Sequence, residues 1–68
     1  MSLMNELFKT CDYLEEYVLS NKVISEEELG FRKVEFVSNY TNHEGFLGMD
    51  YPISYIHYLS QKILGYDE

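Results

Sequence analysis

The stretch CDYLEEYVL puts three carboxylates, Asp12, Glu15 and Glu16, close behind the only cysteine of the chain, Cys11. Carboxylates at this density can serve as general acid and base, ligate a hard cation, or present fixed negative charge to a basic partner. Acid–base pairs can be drawn at will among twelve acids, but 68 residues leave little room for a substrate cleft, which usually takes roughly 300–1,000 Å3. Cys11 sits on an apolar seam, where it reads as a small buried hydrophobe rather than a nucleophile. His43, His57 and Cys11 are three potential metal ligands, yet none shares the short spacing of a zinc site. Neither glycine pattern that cradles phosphates or dinucleotides is present. The expectation is therefore no enzyme, no metal and no cofactor. Fixed charge remains.

That charge is substantial: twelve acids against five bases give −7. Residues 1–30 hold seven acids and two bases, the rest five and three. The negative charge is thus concentrated near the start of the chain. Such a balance argues against direct binding to nucleic acid or to an anionic membrane, both of which need clustered Lys and Arg. It suits a basic partner, or simply solubility.

The elements that must hold these groups read as helices. Met4, Leu7, Cys11, Leu14 and Val18 recur at helical spacing and form one seam. Ser2 or Asn5 fits the cap and Ser20–Lys22 the stop. Asp12 and Glu16 then project away from the seam, with Glu15 at its margin beside Phe8 and Leu19. A second helix starts at SEEEL, where Ser25 and Glu28 form a capping box and Glu26, Glu27 and Glu28 suit the positive end of the dipole. Glu28 and Arg32 stand at i, i+4 in the favourable order. The stretch from Phe31 to Tyr40 is rich in Val, Phe and Tyr and fits neither period cleanly. Helix is favoured there, with a short central hairpin, and hence an α+β fold, as the alternative. Residues 41–51 read as a loop. In the third helix Pro52 suits the first position and Gly65 the position past the end. Ile53, Ile56, Leu59, Ile63 and Leu64 are its expected buried face, leaving Tyr55 and Tyr58 outward with Lys62.

The expected fold class is all-α: one compact three-helix domain over residues 1–68, completed by a second copy. A domain this small buries only about 60% of the surface its unfolded chain exposes, and a lone cysteine offers no internal disulfide. Homodimerisation is the remedy that remains. A reducing, cytoplasmic setting fits the cysteine count. No apolar run reaches the ~18 residues of a membrane span, and no signal-peptide pattern is seen. Met1–Leu3 reads as an appendage before a natural start at Met4.

Seven tyrosines are many for this length. Tyr13, Tyr17 and Tyr40 are expected to lay their rings on the core with wet hydroxyls. Tyr55 and Tyr58 are left as interface anchors, together with Phe8 and Leu19, because tyrosine gives large contact area at low entropic cost. Side chains at i and i+4 on a helix lie about 5–6 Å apart at Cβ, a spacing close to that of neighbouring phosphates along a strand. Asp12 and Glu16 stand in mid-helix, where no dipole argument explains them.

In CDYLEEY and SEEEL, with the tyrosines and the short chain, the protein resembles the small acidic DNA-mimic inhibitors made by phages, among them inhibitors of the histone-like protein HU from Bacillus phages. The resemblance is one of class and rests on no shared motif. It implies a cytoplasmic inhibitor whose Asp12, Glu15, Glu16, Glu26, Glu27 and Glu28 occupy the basic surface of a DNA-binding protein, an HU-like nucleoid protein being favoured, and which acts as a dimer. The competing expectation is a small helical adaptor or regulatory module. It would bind through apolar and tyrosine surface, its acids serving solubility alone.

Overall fold

A computed structural model describes residues 2–41 and 49–66. It contains three helices, α1 (Leu3–Ser20), α2 (Glu26–Thr41) and α3 (Asp50–Leu64), and no strand among the described residues. The region from Phe31 to Tyr40 is helix. Both α1 and α2 pack chiefly on α3 and touch each other little.

Each helix end follows from its local sequence. Ser2 caps α1 by accepting from the Asn5 backbone N–H at 3.2 Å. Beyond the C-terminal end of α1, Val23 N–H donates to the Val18 carbonyl at 2.9 Å and Lys22 N–H to Leu19 at 3.3 Å. This is a Schellman motif. It places Lys22 at φ 55°, a left-handed position that favours glycine. Gly65 closes α3 in the same manner at φ 85°, with Tyr66 N–H bonded to Gln61 O and its own N–H to Lys62 O. Ser25 Oγ accepts from Glu28 N–H at 3.0 Å, so half of the expected capping box forms. The other half does not, because the Glu28 carboxylate is engaged elsewhere. Helix α3 begins at Asp50, two residues before the expected start at Pro52. A proline is tolerated throughout the first turn, whose N–H groups have no intrahelical acceptor. The expected 41–51 loop loses Thr41 to α2 and Asp50 and Tyr51 to α3. Residues 42–48, which include His43, lie outside the described residues.

The core consists of Cys11 and Val18 from α1, Ile24 and Leu29 around the first turn of α2, and Tyr51, Tyr55 and Leu59 from α3. The α1 seam is as expected: Cys11 and Val18 are buried and Met4, Leu7 and Leu14 half-buried. Helix α3, by contrast, is rotated from its expected orientation. Tyr55 is fully buried, at 0% exposure, whereas Ile53 and Leu64 are 49% and 68% exposed. Ile56 and Ile63 are only half-buried. Two tyrosine rings displace the aliphatic stripe because each can bury some 150–250 Å2 while its hydroxyl finds a partner. The rings of Tyr51 and Tyr55 stack at 5.9 Å. Phe8 of α1 meets Tyr51 at 6.0 Å, and Phe36 of α2 meets Tyr55 edge-on at 5.7 Å. An aromatic row thus crosses all three helices. No helix of the described residues is long and apolar enough to cross a membrane.

Candidate functional site: the acidic surface

The six candidate carboxylates divide into two groups. Glu15, at the margin of the α1 seam, turns inward. Its Oε2 accepts from the Tyr55 hydroxyl at 2.5 Å and lies 3.1 Å from Lys33 Nζ of α2. Its side chain is only 17% exposed. One carboxylate therefore joins all three helices. Glu28 is similar: its Oε2 accepts from the Tyr58 hydroxyl at 2.7 Å. The expected Glu28–Arg32 pair does not form. Arg32 instead bonds Glu35 at 2.8 Å, with its guanidinium over the Tyr58 ring at 5.5 Å. The phenol has taken the carboxylate that the i, i+4 rule assigned to arginine.

These contacts reshape the electrostatics. Burial first, then the hydrogen bond to Glu28, pushes the Tyr58 hydroxyl up to about 12. Burial and then the Glu15 hydrogen bond raise Tyr55 further still. Cys11 is pushed up to about 11 by burial and by the charges of Glu15 and Asp12. Its thiol donates to the Pro52 carbonyl at 3.8 Å. It is an inert buried thiol, as its place on the seam suggests. Burial acts to lower the Lys33 pKa, but the hydrogen bond and charge of Glu15 outweigh it and the net shift is upward.

Asp12, Glu16, Glu26 and Glu27 remain outward and exposed. Among the described residues none of the four has a base within ion-pair distance. Asp12 and Glu16 share one side of α1 at i, i+4. Leu19, one turn beyond Glu16, lines a depression of about 490 Å3 together with Ile24, Lys22 and Glu26. Glu26 thus lies at the α1–α2 turn, beside Lys22, while Asp12 and Glu16 stand further back along α1. Glu27 lies around α2, beside Phe31 and Arg32.

The anchor residues also change places. Tyr55 and Tyr58 cannot serve as surface anchors, since one is core and the other is half-buried on Glu28. Phe8 and Leu19 do reach the surface in part. Tyr13 and Tyr17, expected on the core, are exposed, Tyr13 at 66%. Helical spacing carried the signal: at 100° per residue Tyr13 lies about 200° from Cys11. Tyr40 lays its ring on the core as expected, but its hydroxyl is bonded to Ser54 Oγ at 2.8 Å, in a part-buried contact. Tyr13 and Glu16 stand at i, i+3, so the exposed phenols flank the exposed carboxylates. His57 is exposed on α3. No group of three potential metal ligands occurs among the described residues.

No family model matches the chain, and neither the curated proteins nor the solved structures give a match.

Proposed function

We propose that the chain is an acidic DNA-mimic inhibitor that binds the basic surface of a DNA-binding protein, an HU-like nucleoid protein being the favoured class, and so blocks its access to DNA. One observation carries the reading. Asp12 and Glu16 stand exposed at i, i+4 in the middle of a long helix, without a salt bridge among the described residues and away from any helix end that would explain them. Like charges in that arrangement repel by a few tenths of a kcal/mol. They weaken the fold slightly and suit a cationic partner. Glu26 adds a further exposed carboxylate at the α1–α2 turn, and Tyr13 and Tyr17 border the α1 pair with contact area that costs little entropy to order. Glu15 and Glu28 are excluded from the binding set by their internal roles.

The test is a titration of a purified HU-type protein at 50 and 200 mM salt. A polyanion mimic loses affinity steeply over this range, on the order of tenfold or more, and displaces DNA from its target. The double variant Asp12→Lys, Glu16→Lys is expected to stay folded and lose binding. If it binds normally, the reading fails. Glu15 is left unaltered because its removal would confound binding with stability.

A second reading is favoured by a different observation. Phe31 and Val34 are both exposed on α2, which suits a helical adaptor docking through apolar surface. Binding of that kind is nearly indifferent to salt and sensitive to Val34→Lys.

A further inference from the structure

The residues that the sequence places inside α3 and the fold leaves outside mark a second surface. Ile53, His57, Ser60 and Leu64 follow one another at spacings of four, three and four, the repeat of a two-helix seam. Ile53 and Leu64, at its two ends, are about half and two-thirds exposed. Beside the seam, between α2 and α3, lies a groove of about 510 Å3 lined by Phe36, Ile53, Ser54, His57, Tyr58 and Gln61.

We propose that this side of α3 is the interface between two copies of the chain. Charge selects the occupant. A two-fold interface brings a patch against itself, so it must not repel itself. Two other exposed faces of this −7 chain fail that condition. The acidic strip of α1 would meet its own carboxylates. The exposed apolar pair on α2, Phe31 and Val34, is bracketed by Glu27 and Glu35, each one turn from Phe31 on the same side. The run from Tyr51 to Tyr66 is the longest acid-free stretch of the sequence, and all of α3 except Asp50 lies within it. Asp50 precedes Ile53 by one turn and falls outside the Ile53–Leu64 span. An antiparallel pair of α3 helices, with its axis between His57 and Ser60, sets Ile53 against Leu64 of the partner subunit at both ends. The polar residues occupy the middle and Asp50 the rim. This interface leaves the α1 strip uncovered and does not depend on what that strip binds.

The test is sedimentation equilibrium of the full chain from micromolar to millimolar concentration. A reversible dimer is expected. Ile53→Lys and Leu64→Lys should each raise its dissociation constant roughly tenfold or more, because each removes a large apolar side chain from a buried contact and sets an ammonium against the apolar residue opposite. Val34→Lys should leave it unchanged. Circular dichroism checks that each variant is folded; if Ile53→Lys unfolds, Leu64→Lys at the last residue of the helix gives the answer. A chain that stays monomeric at millimolar concentration overturns the proposal. So does a dimer that both α3 variants leave intact, or one broken only by Val34→Lys.

Discussion

Glu15 and Glu16 are adjacent in the chain and have opposite fates. About 100° of helical rotation separates them. It sends one carboxylate to a phenol and an ammonium in the interior corner and leaves the other in solvent. The corner shows what a small domain does with a buried charge: it pairs the charge and supplies a further hydrogen bond. The outer strip shows charge that the fold does not use. The density of acids in a helix therefore says little about function until each one's partner is known.

Substitutions test that contrast directly. The largest effect is expected for Tyr55→Ala, which removes the fully buried ring at the meeting point of the aromatic row and should cost about 3–5 kcal/mol. In a domain of this size that is close to complete unfolding in a urea titration. Glu15→Ala comes next. It strands the Tyr55 hydroxyl and Lys33 and should cost about 1–3 kcal/mol, whereas Glu16→Ala should stay within about 0.5 kcal/mol of the parent. Equal losses in the two variants would erase the distinction between corner and strip. Ser25→Ala removes the side-chain cap of α2 and should cost about 1 kcal/mol.

Alkaline pH probes the buried thiol and the second phenol without mutation. Cys11 and Tyr58 have folded pKa values of about 11 and about 12, raised from 9.0 and 10.0. The unfolded chain therefore loses these protons first as pH rises. The stability they supply is complete below about pH 9 and is lost progressively up to about pH 12. Thermal midpoints should accordingly fall above pH 9, and Cys11→Ala should flatten the earliest part of the decline. The last expected change is a gain. Lys22→Gly relieves the left-handed backbone at φ 55° and should stabilise the chain by up to about 1 kcal/mol in the same urea titration.

Much of the architecture was legible because it depends on local rules. The cap at Ser2, half of the box at Ser25, the seam from Met4 to Val18 and the glycine stop at Gly65 each follow from a few neighbouring residues. The rotation of α3 was not legible in this way. A reading by hydrophobicity ranks Ile53 and Leu64 above Tyr51 and Tyr55. Only a tertiary partner, the Glu15 carboxylate forty positions away in sequence, makes a buried phenol affordable. The same long-range contact removed Glu15 from the acidic surface, and its counterpart at Tyr58 removed Glu28. Both errors about α3 and both errors about the acids thus have one source: tyrosine hydroxyls seeking acceptors. Tyr13 and Tyr17 are exposed for a different reason: their angular position on α1 sets their rings apart from the Cys11–Val18 seam.

The two phenol–carboxylate bonds also give the molecule an optical signal of its own. The chain contains no tryptophan, so its near-ultraviolet absorption and emission come chiefly from tyrosine. Tyr55 and Tyr58 each hold a carboxylate on the hydroxyl, an environment that dims phenol fluorescence relative to water. Unfolding should therefore brighten the protein, and Glu15→Gln should brighten it in part while the helices stay intact, letting the state of that corner be followed by light without any added label.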